Sequence, residues 1–275
     1  MTGGEALAAA IVRLRAAGVP DPARDARRLL AHALGVNPGR LTLILPDPVP
    51  DLAQAAFKAA LTRRAAREPV SHILGRRAFF GREFRVTRDV LDPRPETEIL
   101  VKQALGEDFS SLLDLGTGSG CILLSLLAER PAARGLGVDI CDRALEVARE
   151  NARALGIARA EFARSDWFGN VSGRFGLIVS NPPYIAAAEM AALAPELRQW
   201  EPEIALTPGG DGLEAYRRIA AGVRAHLLRG GRLLVEIGPT QGGAVSALVA
   251  QAGFQDLRVY PDLDGRDRVI AARAP

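Results

Sequence analysis

Two patterns of apolar and polar positions divide the chain near residue 72. Before this point, apolar residues recur at helical spacing, as at Leu29, Leu30, Ala33 and Leu34, and glycine or proline ends each run. Beyond it, short apolar runs of strand length alternate with longer runs of helical spacing. The first pattern predicts a bundle of four helices, and the second predicts a doubly wound α/β sheet.

We predict three segments from this change of pattern. An N-terminal helical domain covers 1–72, a β-hairpin linker covers 73–92, and an α/β domain covers 93–275. The helical domain has no residues at catalytic spacing, so it is either a packing unit or a domain that docks a partner. The sheet is expected to contain seven strands, the last two forming an antiparallel hairpin. One short strand of the seven is expected between Ile185 and Pro208.

Composition limits the classes of protein that fit. The 275 residues, 48% hydrophobic and 24% charged, are typical of a globular protein of two domains. No apolar run approaches the ~20 residues that span a bilayer, so we expect a cytoplasmic protein without membrane contact. The cysteines and histidines are scattered, which predicts neither a disulfide nor a metal site. The net charge is +3, but the arginines are dispersed among acidic residues, and we expect no direct contact with nucleic acid.

A glycine-rich turn follows the first strand of the α/β domain and leads directly into a helix. Glycine lets the backbone approach a ligand closely, and the first turn of a helix offers free N–H groups, so this turn is predicted to hold a cofactor. Asp139 lies near the end of the next predicted strand, where it can accept hydrogen bonds from ribose hydroxyls. The predicted cofactor-binding residues of the turn are Gly116, Thr117, Gly118, Ser119 and Gly120.

The spacing of these glycines distinguishes between cofactors. A dinucleotide fingerprint would need a third glycine at position 121, where the chain has Cys121, and no Gly-Lys-Ser/Thr follows the turn as in a P-loop. The kind of cofactor that still fits the turn is a nucleoside without a pyrophosphate, of which S-adenosylmethionine is the common example. Asp166 and Trp167 follow a later strand, and we expect them to hydrogen-bond and cover the adenine ring.

The motif Asn181-Pro182-Pro183-Tyr184 follows another buried strand. Proline lacks a backbone N–H and has a fixed φ, so the strand has to stop and turn there. At the carboxyl end of a strand in an open α/β sheet, such a turn presents an amide side chain, carbonyls and an aromatic ring to a ligand. This group of atoms can hold a planar NH2 group, and the motif by itself does not decide between an amide and an adenine.

Together these motifs resemble the PrmC/HemK family of class I S-adenosylmethionine-dependent methyltransferases, the glutamine N5-methyltransferases of peptide-chain release factors. The resemblance covers essentially the whole chain and includes the segment 209–213. The glycine turn alone indicates a methyltransferase, and the Asn-Pro-Pro-Tyr motif also fits adenine-N6 methyltransferases. The arm Arg94-Pro95-Glu96-Thr97-Glu98, with the helical domain ahead of it, makes the match to this family specific.

The resemblance implies an enzyme of translation termination with a Rossmann-like sheet. It methylates a glutamine side chain of class 1 release factors and leaves S-adenosylhomocysteine as product. By the same resemblance, Asn181, Pro182, Pro183 and Tyr184 grip the glutamine, and all of them except Pro183 are catalytic. Asn181 also borders the cofactor, and Leu91 lies against the substrate amide. Two alternatives stay open, an adenine-N6 methyltransferase of DNA or RNA and a catalytically silent S-adenosylmethionine-binding adaptor.

Overall fold

The computed structural model describes residues 1–275, which form two compact units. One consists of Met1–Arg76 and Ala194–Trp200, and the other of Arg77–Leu193 and Glu201–Pro275. The α-helices are α1 Gly3–Ala16, α2 Pro22–Ala33, α3 Leu41–Ile44, α4 Asp51–Ala65, α5 Val70–Leu74, α6 Glu98–Ala104, α7 Cys121–Glu129, α8 Asp142–Ala154, α9 Pro195–Trp200, α10 Glu203–Leu206, α11 Glu214–His226 and α12 Gly242–Gln251. The strands are β1 Arg76–Phe79, β2 Arg82–Arg85, β3 Ser111–Leu115, β4 Arg134–Asp139, β5 Ala160–Arg164, β6 Phe175–Ser180, β7 Leu227–Glu236, β8 Gln255–Pro261 and β9 Asp267–Arg273.

The N-terminal unit is a bundle built around α1, α2 and α4. A capping box starts α1, since Thr2 Oγ1 accepts from the Glu5 N–H and the Glu5 carboxylate accepts from the Thr2 N–H. The short helix α5, between Pro69 and Gly75, joins the four helices that the sequence predicts. The leucines of its core that are fully buried are Leu14, Leu29, Leu30 and Leu41. None of the helices of the chain reaches the length and apolarity of a membrane span.

The helix α9 belongs to the N-terminal unit although it lies far along the chain. The Glu196 carboxylate accepts hydrogen bonds from Arg64 at 3.0 Å and from Arg67 at 2.6 and 2.7 Å. Arg64 is 5% exposed and also donates to Asp25 at 2.7 Å. A guanidinium as buried as this one requires such partners, so these ion pairs hold α9 in the unit.

The second unit contains the predicted seven-stranded sheet, with the order β5-β4-β3-β6-β7-β9-β8. The strands from β5 to β7 are parallel, and β9 is antiparallel to both β7 and β8. The Rossmann-like, doubly wound fold class is therefore confirmed. The chain leaves β3 toward β4 on one side and returns with β6 on the other. In open α/β sheets ligands bind outside the carboxyl ends of the strands at such a reversal.

Helices cover both faces of the sheet. Successive side chains of a strand point to opposite faces, so Leu112 of β3 packs in the core with α6 and α7, while Leu113 packs in the core with α11 and α12. Both leucines are 0% exposed. Burial on both faces explains why the central strands β3 and β6 are mostly apolar rather than alternating.

The prediction of a short strand between Ile185 and Pro208 is wrong. This segment contains a 3₁₀ helix at Ala187–Ala192, followed by α9 and α10. It is rich in alanine, glutamate and leucine, which favour helix, and its prolines cannot donate to a strand ladder. The sheet reaches seven strands without it, because every strand lies outside this segment.

The hairpin of β1 and β2 forms a separate two-stranded sheet. Its turn residues Phe80 and Gly81 both have positive φ, 46° and 73°, as in a type I′ turn. Phe79 and Phe84 pack edge to face with their ring centroids 6.1 Å apart. The Phe80 N–H donates to the Glu98 carboxylate at 2.8 Å, which ties the hairpin turn to the start of α6.

Candidate active site

A cavity of about 350 Å³ opens at the carboxyl ends of β3, β4 and β6. Its size is within the ~300–1,000 Å³ usual for small-molecule sites, and its position is the reversal point of the sheet. The predicted site residues that line it are Leu91, Gly116, Thr117, Gly118, Ser119, Asp139, Asp166, Trp167, Asn181 and Pro183. Gly120, Pro182 and Tyr184 are not part of its wall.

The glycine turn bends away from β3 with its backbone open to the cavity. Gly116, Gly118 and Gly120 have φ of 69°, 53° and 78°, a region that side chains with a Cβ rarely adopt. A Cβ at Gly116 or Gly118 would have no protein atom within 4 Å, whereas one at Gly120 would lie 3.1 Å from Leu124 of α7. The first two glycines therefore leave room for a ligand, and Gly120 lets α7 pack closely behind the turn.

Asp139, at the end of β4, holds this turn in place. Its Oδ2 accepts from the Gly118 N–H at 2.9 Å, and its Oδ1 accepts from the Cys141 N–H at 2.9 Å. Burial raises the pKa of Asp139, and these backbone donors act in the opposite direction. Each carboxylate oxygen keeps a second lone pair, so the side chain can still accept from a hydroxyl in the cavity.

Asp114, the fourth residue of β3, lies behind the turn and was not predicted as a site residue. It is 1% exposed, and its Oδ2 accepts from the Thr117 hydroxyl at 2.7 Å. Its Oδ1 has no hydrogen-bond partner, and burial raises its pKa to about 7. The side chain therefore orients Thr117 at the floor of the cavity.

Asp166 and Trp167 form the wall that follows β5. Trp167 has a φ of 52°, a left-handed conformation that is strained for an aromatic residue. The Ser165 hydroxyl stabilises the turn by donating to the Trp167 carbonyl at 2.8 Å. Both oxygens of Asp166 accept from Arg218, at 3.0 and 2.8 Å. The Trp167 indole packs partly against the core of the sheet and partly lines the cavity.

The Asn-Pro-Pro-Tyr motif follows β6 on the opposite wall. The Asn181 side chain faces the cavity, and its Nδ2 donates to Thr97 Oγ1 at 3.2 Å. Pro182 is buried, and Tyr184 packs against the core under the sheet, where burial raises its pKa to about 12. The structure thus brings Asn181 and Pro183 to the cavity and places Tyr184 behind them.

Two residues outside the motif, Gln241 and Gly212, hold it from behind. Gln241 Nε2 donates to the Tyr184 carbonyl at 2.9 Å, while its Oε1 accepts from the Gly238 N–H at 2.9 Å. No pattern in the sequence marks Gln241. A Cβ on Gly212 would lie only 2.5 Å from the Tyr184 carbonyl, so a glycine is needed there. The segment 209–213 that supports the family resemblance therefore packs directly on the motif.

The arm ahead of α6 is held to the site by charged side chains. Arg94 forms an ion pair with Glu201, whose side chain is 2% exposed and whose pKa is raised by burial. Arg77 donates to the Pro93 carbonyl at 3.0 Å. Arg94 and Leu91 line the cavity, as does Ile204 beyond Glu201. The arm and the segment around Glu201 therefore form two walls of one cavity.

The residues present fit S-adenosylmethionine. The glycine turn provides open space and backbone, Asp139 provides acceptors for hydroxyls, and Trp167 provides an apolar face for a planar base. No lysine lines the cavity, and its two arginines, Arg94 and Arg218, form ion pairs with Glu201 and Asp166. No group of three or more His, Cys, Asp and Glu side chains is placed to hold a metal ion.

Comparison with known proteins gives the same assignment over the whole chain. The PrmC N-terminal domain matches residues 5–75, and the methyltransferase small domain matches residues 88–211. A release factor glutamine methyltransferase of Cereibacter sphaeroides is 63% identical over 276 residues, covering 100% of this chain and 99% of that protein. A protein with the same name from Rhodospirillum rubrum is 50% identical over 95% of this chain and 82% of its own length.

Solved structures confirm the fold. A methyltransferase from Pyrococcus furiosus matches with a TM-score of 0.54 and 14% identity, covering 78% of this chain and 96% of that one. The sheet and the cavity define this chain as a class I methyltransferase, for which S-adenosylmethionine is the methyl donor. The relatives identify the family within this class. The chain belongs to the family of release factor glutamine methyltransferases.

Proposed function

We propose that this enzyme transfers a methyl group from S-adenosylmethionine to the side-chain amide nitrogen of a glutamine in class 1 peptide-chain release factors. The observation that carries the proposal is the 63% identity, over the whole chain, with a relative named release factor glutamine methyltransferase. The placement of Asn181 beside the cofactor cavity supports it. An enzyme that acts on this substrate works in the cytoplasm.

The cofactor is held by the glycine turn, Asp139 and the wall that follows β5. The residues assigned to it are Gly116, Thr117, Gly118, Ser119, Gly120, Asp139, Asp166, Trp167 and Asn181. Gly120 contributes through packing behind the turn, and Asp166 contributes through the carboxylate that Arg218 orients. When bound, S-adenosylmethionine supplies an electrophilic methyl group on a sulfonium.

Asn181 and Pro182 hold the acceptor nitrogen. An amide nitrogen is a poor nucleophile, because its lone pair is delocalised into the carbonyl. If Asn181 Oδ1 and the Pro182 carbonyl accept its two N–H groups, the nitrogen is fixed in one geometry and the positive charge that develops on it is stabilised. No strong general base is required, because the nitrogen loses its proton readily after attack.

Other residues around the cavity exclude water from it and hold its walls in place. Pro183 and Leu91 line the cavity and pack against the acceptor amide. Tyr184 supports Asn181 from behind, since its ring lies in the core rather than in the cavity wall. The helical domain predicted at 1–72 docks the release factor.

Label transfer tests the proposal. The protein is incubated with S-adenosylmethionine labelled in the methyl group and either an unmethylated release factor or adenine-containing DNA or RNA. Label in the release factor, lost in Asn181→Ala, is the expected result. Label in nucleic acid alone would establish the adenine-N6 reaction, and no label in either substrate, with the cofactor bound, would establish a silent adaptor.

A further inference from the structure

One buried side-chain amide joins α8 to the end of β2 and to the glycine turn. Asn151 lies on α8 and is 2% exposed. Its Oδ1 accepts from the Arg85 N–H at 2.7 Å, while its Nδ2 donates to the carbonyls of Arg85 and Ser119 at 3.1 and 2.8 Å. An N–H only donates and a carbonyl only accepts, so these partners fix the orientation of the amide. Both hydrogens of the NH2 group are used on backbone atoms.

Asn151 holds the end of β2 as a neighbouring strand would. Arg85 is the last residue of β2, and its N–H and its carbonyl are both bonded to this one side chain. A hairpin of two strands is only marginally stable by itself, so bonds from outside the hairpin contribute to its order. The residues that follow pack on the same helix, in a small core formed by Val86, Val90, Ala144 and Val147.

The segment 86–91, which we call the linker wall, reaches the cavity. Asp89, Val90 and Leu91 line it, whereas Arg85 and Asn151 do not. Val90 is 1% exposed and belongs to the small core on α8. The helix that carries Asn151 therefore also sets the position of this wall.

The same amide fixes a peptide group of the glycine turn. Ser119 lies between two glycines of positive φ and lines the cavity. The turn packs directly on α8, because a Cβ at Gly120 would lie 3.3 Å from the Cβ of Ala148, which is 0% exposed. The bond from Asn151 thus reaches the turn at the point where the helix supports it.

We propose that Asn151 is a positioning residue that couples the glycine turn to the linker wall. Its bond to the Ser119 carbonyl limits the conformations of a turn whose glycines are otherwise free to change. Because the same amide holds Arg85, binding of S-adenosylmethionine and ordering of the linker wall stabilise each other, and this coupling is reciprocal. The inference rests on the cofactor site of the proposed function and is independent of the methyl acceptor.

The experiment measures cofactor binding and hydrogen exchange rather than methyl transfer. For the wild type, Asn151→Asp and Asn151→Leu, the Kd for S-adenosylhomocysteine is measured by calorimetry, together with the melting temperature. Exchange of the Arg85 N–H is followed by ¹⁵N NMR with and without saturating S-adenosylhomocysteine. Arg85 does not line the cavity, so its protection is not direct contact with the ligand. The Val245 N–H of α12, bonded to the Gln241 carbonyl at 2.9 Å, reports protection by overall stabilisation.

Two control variants separate coupling from loss of stability. Glu150→Ala removes the ion pair with the Arg85 side chain and leaves the bonds of Asn151 to the Arg85 backbone intact. Val249→Ala removes packing in the core with α11 and α12, where Val249 is 3% exposed. Glu150→Ala should behave as the wild type. Val249→Ala should lower the melting temperature and keep the wild-type Kd.

Asn151→Asp and Asn151→Leu should weaken binding about tenfold, as the loss of one buried hydrogen bond does. The ligand should slow exchange at Arg85 more than at Val245 in the wild type, and this excess should vanish in both variants. Wild-type Kd in both variants, an excess that persists in them, or an equal loss of affinity in Val249→Ala would overturn the inference.

The wild type decides alone if the Asn151 variants do not fold. Equal slowing at Arg85 and Val245 would then overturn the coupling, and a clear excess at Arg85 would support it. An enzyme that shows this excess but methylates no release factor would refute the proposed acceptor and leave the coupling established.

Discussion

The Gly118 N–H lies 2.9 Å from Oδ2 of Asp139, so the glycine turn is bonded to the end of the neighbouring strand. The other carboxylate oxygen accepts from the Cys141 N–H at 2.9 Å. One side chain therefore joins the loop after β3 to the loop after β4, the two loops that we assign to the cofactor. An acidic residue here shapes the cradle as well as presenting acceptors to it.

Asp139→Asn should weaken cofactor binding by tenfold or more. The substituted amide has one acceptor and one donor end, so one of the two backbone N–H groups would face another donor. A hydrogen bond to a charged group is worth about 1.5–3 kcal/mol, and about 1.4 kcal/mol corresponds to a tenfold change in Kd. Calorimetry with S-adenosylhomocysteine measures the change. Asp142→Asn is the matched control, since the Asp142 side chain is 64% exposed, and equal Kd values for the two variants would contradict this role.

Asn181→Ala should lower turnover by roughly two to three orders of magnitude while cofactor binding is largely kept. Loss of one preorganised polar contact to a developing charge typically has an effect of ~10²–10³ in kcat. Steady-state kinetics and calorimetry separate the two quantities. Asn170→Ala serves as the control, because its amide donates to the Arg164 carbonyl and does not line the cavity. Near-normal turnover in Asn181→Ala would rule out the assignment.

Gly212→Ala should be more destabilising than Gly209→Ala by about 1–3 kcal/mol, the usual cost of overpacking. The two glycines have nearly the same φ, 79° and 80°, so the backbone strain of an alanine is matched. Only at Gly212 does the added Cβ meet the Tyr184 carbonyl, at 2.5 Å, while nothing lies within 4 Å at Gly209. Denaturant unfolding and kcat measure the difference. Equal effects would show that contact with the motif is unimportant.

The stability contributed by Asp114 should fall as the pH rises. Burial raises its folded pKa from 3.8 to about 7, so the folded state holds this proton more tightly than the unfolded state does. The contribution is complete below the unfolded pKa and is lost as the pH rises toward about 7, by at most about 1.4 kcal/mol per pH unit. Asp114→Asn cannot titrate, so the difference in unfolding free energy between wild type and variant should shrink over this window. Parallel curves would contradict the prediction.

Local patterns in the sequence predict most of the sheet and the cradle. The strand, the glycine turn and the helix α7 are contiguous, so their chemistry is visible in one short stretch of residues. Asn181 is equally visible, because two prolines mark the end of its strand. The prediction of a strand after the motif is wrong, because the helices of this segment are short. The inclusion of α9 in the N-terminal unit depends on contacts of Glu196 with Arg64 and Arg67, which lie far away in the sequence.

Contacts between distant positions account for what the sequence does not predict. Thr97 and Asn181 are 84 positions apart, and Gln241 lies 57 positions from Tyr184. No spacing or periodicity relates such pairs, and they meet only because the carboxyl ends of β6 and β7 and the arm before α6 converge. The residues that orient the motif are therefore found in the folded structure alone.

The most direct test is tandem mass spectrometry of a release factor after reaction with this enzyme. We expect the mass of one added methyl group on the side chain of a single glutamine. That group should be missing after reaction with Asn181→Ala and in a release factor in which this glutamine is replaced by asparagine. Methyl groups on other residues with the glutamine unmodified, or on adenine in an added nucleic acid, would contradict it.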